Sequence, residues 1–282
     1  MTPLRLSYEV FPPADDDGRA RLADTVRALN GRGFEFVSVT YGAGGGQRDR
    51  SFAAIETVAE HADCPVAAHL TCVGVSRADA TAVIDRYLDL GVTHIVALRG
   101  DPPEGIDQPY VQHPDGFAST AELVAAICAR AAARSTPVDV TVSAYPEVHP
   151  QSPNLGHDLG VLASKIDAGA TCAITQMFFE PMLFDRYIAA ARARDIDIDV
   201  IAGIMALHPL ERITGFAARC GAQVPASLID SIHAAVDSRA EAVACATEQI
   251  TTLRDLGHSR FHLYTLNRAG LVSDIVTSLE NR

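Results

Sequence analysis

The sequence predicts an α/β protein of the (β/α)8 TIM-barrel class. It reads as one catalytic domain over residues 1–282, with an insertion before the last strand. Three observations carry that prediction. Eight apolar runs rich in β-branched residues alternate with longer amphipathic stretches along the 282 residues. The runs are apolar on both faces, as strands of a parallel sheet covered by helices must be. The first run ends in Phe11-Pro12-Pro13 where a nucleotide-binding open sheet would need G-x-G-x-x-G.

The strands are expected at residues 6–11, 36–41, 66–72, 93–98, 138–145, 172–179, 199–205 and 261–266. Helical patterns lie between them, clearest at 19–29, 79–90, 121–132 and 183–193. The last units are less regular: a short helix at 209–219, an insertion around 224–236 and a long helix at 240–256. Eight units in about 250 residues suit a closed barrel better than an open sheet.

Composition narrows the setting. The net charge of −12 and the lack of a basic cluster argue against nucleic acid or an anionic membrane as partner. No apolar stretch approaches bilayer-spanning length, and no signal-peptide pattern opens the chain. Six scattered cysteines without C-x-x-C spacing suit a reduced, cytoplasmic protein. Of 23 basic residues only Lys165 is a lysine, a position that either needs a compact point charge or reflects chance. Oligomeric state is open.

Chemistry in a parallel barrel sits at the carboxyl ends of the strands. Strand one ends there with Glu9, in SYEVFPP, where the proline pair stops the strand beside a carboxyl in apolar surroundings. Such a group has a raised pKa and suits general acid chemistry, although a carboxylate bonded to backbone reads the same way. Strand two ends in FVSVTYGAGGG, whose glycines permit close backbone approach but lack a phosphate-loop ending. Strand three delivers His69 and Thr71; a lone histidine in an apolar run is more often a satisfied core residue. Strand four ends VALRGD, delivering Arg99, Gly100 and Asp101. Strand five ends AYPEVHP with Tyr145, Glu147 and His149, and strand six carries Gln176 inside AITQMFF. A buried amide without a partner costs about 1–3 kcal/mol, so a matching ligand is one solution. Strand eight ends HLYTLNRA, with Asn267 and Arg268.

The usual hydrolytic alternatives lack their residues. No His-x-His stands on an early strand, the His149 and His157 spacing fits no common zinc pattern, and no metal is expected. The lone lysine lies in a helix rather than at a strand end, which removes a Schiff-base aldolase, and G-x-S-x-G is absent. The remaining set suits a flat, hydrogen-bond-rich ligand and redox or group-transfer chemistry.

Taken together, SYEVFPP, FVSVTYGAGG with RDRS, AAHLTC, HIVALRGDPP, AYPEVHP, KIDAGA, AITQMFF and FHLYTLNRA resemble the methylenetetrahydrofolate reductase family, bacterial type. The motifs are collinear from strand one to strand eight. The resemblance implies a TIM barrel that reduces 5,10-methylenetetrahydrofolate to 5-methyltetrahydrofolate with NADH or NADPH, typically through FAD, in the supply of methyl groups for methionine. It implies the catalytic domain alone, without the regulatory extension of the animal enzymes. Residue by residue, it implies Glu9 as general acid and Asp101 near the flavin, tuning it and stabilising the cationic folate. It implies Gln176 on the pterin, Phe216 packing on folate or nicotinamide, and Arg268 on the folate side. Thr40, His69, Arg99, Gly100, Asp101, Tyr145, His149, Asp158 and Lys165 match the flavin-binding set.

This chain departs from the family pattern at Val161 and Ser164, where the family carries an asparagine and an arginine that hold the flavin's ribose and pyrophosphate. Each lost bond to a charged group costs about 1.5–3 kcal/mol. The strand-seven loop also departs, reading Ala202-Gly203-Ile204-Met205-Ala206 in place of Pro-Gly-Ile-x-Pro. Weak flavin binding follows, with direct hydride transfer from nicotinamide to folate as an alternative. A proline dehydrogenase-like flavin barrel and a non-catalytic folate binder are the other readings. Gln176 and Phe216 speak against the first, and Glu9 with Asp101 against the second.

Overall fold

A computed structural model of the protein describes residues 3–42, 45–102 and 110–282. Eight parallel strands pair in sequence order and close into a barrel, as β8 pairs back onto β1. The strands are β1 (Arg5–Val10), β2 (Val37–Val39), β3 (Val66–Thr71), β4 (His94–Leu98), β5 (Asp139–Ala144), β6 (Cys172–Thr175), β7 (Asp199–Ile204) and β8 (Arg260–Tyr264).

Each strand is followed by a helix on the outside. These are α1 (Asp16–Leu29), α2 (Gly45–His61), α3 (Arg77–Asp89), α4 (Thr120–Ala133), α5 (Leu155–Asp167), α6 (Pro181–Arg192) and α7 (Leu210–Arg219), with α10 (Ala269–Glu280) last. The insertion before β8 folds as α8 (Ala226–Ala234) leading into the long α9 (Ser238–Asp255). Helix starts follow side-chain chemistry. Asp15, Ser76, Ser119 and Asn154 each accept a bond from a backbone N–H of the first turn. No helix among the described residues is long and apolar enough to cross a membrane.

Seven of the eight strands are shorter than their apolar runs, β1 being the exception. The run at 172–179 forms β6 only to Thr175, so Gln176 lies just past the strand rather than within it. Its N–H still reaches Ala144 O at 2.8 Å, and its own Oε1 accepts from Met177 N at 2.9 Å. Met177, Phe178 and Phe179 are buried beyond the ladder, packing under the following helices, so apolar content alone overstates strand length.

The main core fills the space between sheet and helices. Each fully buried aliphatic or aromatic side chain there contributes about 1.5–3 kcal/mol. Inside the barrel, Phe36, Ala67, Val96, Cys172, Ile174 and Ile201 form a separate cluster. His94 meets Phe36 edge-on at 4.5 Å, and His262 stacks on it at 5.7 Å. His262 Nδ1 is hydrogen-bonded to Ser7 Oγ at 2.7 Å and His94 Nε2 to Thr141 Oγ1 at 2.7 Å. Burial drives both imidazoles down, His262 to about 3 and His94 to about 4. They are neutral packing residues of the barrel floor, and above them the barrel opens.

Candidate active site

A cavity of about 1040 Å³ opens over the carboxyl ends of the strands. Glu9, Thr40, His69, Arg99, Gly100, Asp101, Tyr145, His149, Asp158, Lys165, Gln176 and Phe216 all line it, drawn from eight different segments of the chain. Arg268 does not. It stands at the start of α10, where Nη1 donates to His208 O at 3.4 Å, and it lines a separate narrow crevice between β7 and β8. The glycine-rich stretch after β2 lies partly outside the described residues, as does Pro103 of the strand-four motif.

Glu9 enters the cavity from the last turn of β1, paired with Ser38 of β2 and Tyr264 of β8. It is only 7 % exposed, and its carboxyl has no hydrogen-bond partner among the described residues. The nearest polar neighbour is His69 Nε2, 3.6 Å from Oε2. Desolvation raises the Glu9 pKa to about 8 and lowers that of His69 to about 3. At neutral pH this is a protonated acid beside a neutral imidazole. His69 Nε2 and Thr71 Oγ1, both buried, have no hydrogen-bond partner among the described residues.

The opposite wall is built differently. Lys165, on α5, is buried and donates from Nζ to Ser143 O at 2.9 Å and Ser143 Oγ at 3.3 Å. Burial lowers its pKa to about 8, with Asp158 opposing and Arg99 adding to the shift. Asp158 accepts from His149 N at 2.9 Å and also from Ser152 Oγ. Arg99 Nη1 donates to Gln151 Oε1 at 2.7 Å, and Tyr145 meets His149 edge-on at 4.6 Å. Val161 lies on the same wall and is 40 % exposed, whereas Ser164 does not line the cavity and its Oγ turns back to Val161 O at 2.7 Å.

Asp101 is exposed at the rim, set there by Gly100 at φ +84°, where a Cβ would lie 2.5 Å from Val73 Cγ1. Phe216 presents its ring from α7, with the Arg219 guanidinium 5.8 Å from its centroid. Among the described residues no group of three or more metal-ligating side chains comes together.

Tyr264 also lines the cavity, and sequence reasoning missed it. Its hydroxyl donates to Thr175 O at 2.7 Å, and its ring lies over Gly203, where a Cβ would come within 2.7 Å of Cε2. A glycine inside the apolar run of β7 was the legible signal, since such a residue marks close approach by another group.

Fold and site define the class: a barrel enzyme working at the carboxyl face of its strands, with a buried acid at the end of the first. Within that class the chain belongs to the methylenetetrahydrofolate reductase family, whose model matches residues 3–280. It is 36 % identical over 272 residues to the 5,10-methylenetetrahydrofolate reductase of Pectobacterium carotovorum, covering 95 % of this chain and 87 % of that protein. The Salmonella typhimurium enzyme of the same name is 33 % identical over 271 residues, covering 94 % and 87 %. An Arabidopsis thaliana methylenetetrahydrofolate reductase (NADH) is 30 % identical over 277 residues, 93 % of this chain but 46 % of that protein.

Solved structures report the barrel. A Clostridium thermocellum protein described as binding two copies of 5-methyl-5,6,7,8-tetrahydrofolic acid superposes with TM-score 0.64 at 10 % identity, covering 99 % of this chain and 95 % of the other. A 2,3-dimethylmalate lyase superposes at 0.56 with 10 % identity, covering 99 % and 78 %. At that identity the likeness is one of fold, which hosts many chemistries.

Proposed function

We propose that the protein reduces 5,10-methylenetetrahydrofolate to 5-methyltetrahydrofolate with a reduced nicotinamide, and that Glu9 is its general acid. The observation that carries this reading is the buried, unpartnered Glu9 carboxyl, held protonated near neutral pH at the cavity wall. Its proton goes to the leaving nitrogen as the five-membered ring opens, giving a 5-iminium cation. A hydride from the nicotinamide then reduces the iminium carbon to the methyl group. A positioned acid of this kind is worth about 10²–10⁴ in rate. The Asp101 carboxylate at the rim supplies negative charge for the cation. Gln176 offers an amide to the pterin, and Phe216 an aromatic face.

The cavity also has room and donors for a flavin. Arg99 and Lys165 supply cations, and His69 and Thr71 supply buried polar atoms that still need partners. When bound, that group would accept hydride from the nicotinamide and pass it to the folate. Thr40, Gly100, Tyr145, His149 and Asp158 are the remaining residues that would hold it. A second reading, direct transfer from nicotinamide to folate, is favoured by the wall around Val161. There an apolar side chain, a serine turned back on its own helix and a lysine already bonded to Ser143 offer a phosphate little. The six cysteines are free thiols, which supports a reducing, cytoplasmic setting.

The test is an absorbance spectrum of the purified protein together with NADH oxidation in the presence of methylenetetrahydrofolate, with and without added FAD. Flavin bands with activity tracking occupancy support transfer through the flavin. A colourless protein that oxidises NADH only with the folate present supports direct transfer. No folate-dependent oxidation under either condition overturns the reductase reading.

A further inference from the structure

Among the described residues the Glu9 carboxyl has no hydrogen bond to hold it, so its aim depends on where the backbone of strand one leaves the barrel. On the β2 side Thr40 N still donates to Val10 O at 3.0 Å, but on the β8 side that exit is poorly served by the sheet, where pairing stops at Glu9 and Tyr264. β1 ends at Val10, Pro12 and Pro13 carry no N–H, and β8 turns away after Tyr264 to begin α10. Side chains take over where the ladder stops. Thr265 Oγ1 donates to Glu9 O at 2.5 Å. Phe11 N donates to Asn267 Oδ1 at 2.8 Å, and Asn267 Nδ2 donates to Phe11 O at 2.9 Å. The Asn267 amide thus offers Phe11 the donor and acceptor that a neighbouring strand would offer. Asn267 N in turn donates to Thr265 Oγ1 at 2.9 Å, joining the two.

The turn that presents this clamp is strained. Leu266 and Asn267 follow one another at φ +47° and +58°, both in the left-handed region. Such a conformation is unfavourable for a residue like Leu266, less so for asparagine, and persists where the surroundings over-determine it. The other non-glycine residues of positive φ among the described residues, Ser135 and Asp195, are single residues just past helix ends, where left-handed closure is ordinary. Strain stored directly behind the acid, in the turn that grips its strand, points to a constraint of the site.

We infer that Asn267, acting with Thr265, is the positioning residue of the proton donor, fixing the strand-one exit so that Glu9 faces substrate and stays out of water. The inference rests on Glu9 being the general acid.

The test is Asn267→Gly, alone and combined with Glu9→Gln. Glycine removes the amide but relieves the left-handed strain, so the fold is retained. Displacing a catalytic group by about 1 Å costs up to roughly 10²-fold. Asn267→Gly is expected to lower kcat about 10- to 100-fold with the KM for folate changed less than about twofold. The alkaline limb of its pH–rate profile moves below the wild-type value near 8, as a released carboxyl meets water. In the Glu9→Gln background the same replacement costs nothing further, because residues acting through one group are not additive.

Losses that multiply in the double variant, or an unmoved pH limb, overturn the inference. Should Asn267→Gly fold poorly, Thr265→Val keeps the shape, removes the hydroxyl and carries the same test. If wild-type protein shows no folate-dependent oxidation, the reductase reading fails on its own. The clamp is then read from infrared titration of the Glu9 carboxyl, whose midpoint should fall in Asn267→Gly; an unchanged midpoint overturns it.

Discussion

On the strand-one side of the cavity, the buried Glu9 carboxyl has only His69 Nε2 nearby, at 3.6 Å, and His69 Nε2 and Thr71 Oγ1 have no hydrogen-bond partner among the described residues. On the strand-five side, Lys165, Asp158 and Arg99 each already have a protein partner. Both sides bury ionisable groups at the same mouth, and burial pushes Glu9 up and Lys165 down to the same value, about 8. The consequences are opposite. An unsatisfied acid is available to a ligand and costs stability until one arrives. A satisfied lysine secures the α5 wall to β5 and leaves less for a ligand to gain. On the proposed reading, the reactive side is the one that local bonding leaves incomplete.

The sharpest way to break this contrast is Glu9→Gln, which keeps the shape and removes the proton. Folate-dependent NADH oxidation should fall about 10²–10⁴-fold with folate binding retained. A fall of less than tenfold would move the acid elsewhere. The satisfied wall is addressed by Val161→Asn with Ser164→Arg, which should tighten flavin binding. One new bond to a charged group is worth about 1.5–3 kcal/mol, so each change is expected to lower Kd about tenfold or more. Unchanged affinity by flavin fluorescence titration would mean that this wall does not meet the flavin.

Stability against pH separates the two sides again. Between its ordinary value of 4.5 and about 8, Glu9 stays protonated in the fold but ionises in the unfolded chain. Stability therefore falls as pH rises through that window, by roughly 3 kcal/mol at pH 7, and Glu9→Gln should flatten the curve there. Lys165 acts in the window from about 8 to 10.5, where the unfolded chain holds the extra proton. Stability rises with pH there, and Lys165→Met should remove that slope. Denaturant midpoints across pH 4–11 check both. The smallest effect is expected at Arg268, outside the cavity: Arg268→Ala should change the KM for folate about twofold at most. A tenfold rise would return it to the folate side.

Much of this was legible in the chain. The eight apolar runs and the exclusion of an open sheet by Phe11-Pro12-Pro13 led to the closed barrel. Twelve of the thirteen expected site residues meet in one cavity, nine from the carboxyl ends of the strands and the loops after them, and Asp158, Lys165 and Phe216 from helices α5 and α7. Arg268 escaped because it follows the left-handed turn at Leu266 and Asn267 as the cap of α10, and backbone handedness has no periodic signature. Gln176 was expected inside a strand because buried loop and buried strand share the same apolar composition. The Asn267 clamp was hidden for a different reason: it joins residues 256 positions apart, and only closure of β8 onto β1 brings them together.

The proposed chemistry requires a Glu9 carboxyl that is protonated at neutral pH. Infrared difference spectroscopy of wild type against Glu9→Gln, titrated from pH 4 to 10, measures it directly. A protonated carboxyl band that persists through neutrality and is lost near pH 8 is the expected result. A band already lost by about pH 5, the ordinary range of a solvated glutamate, would contradict it.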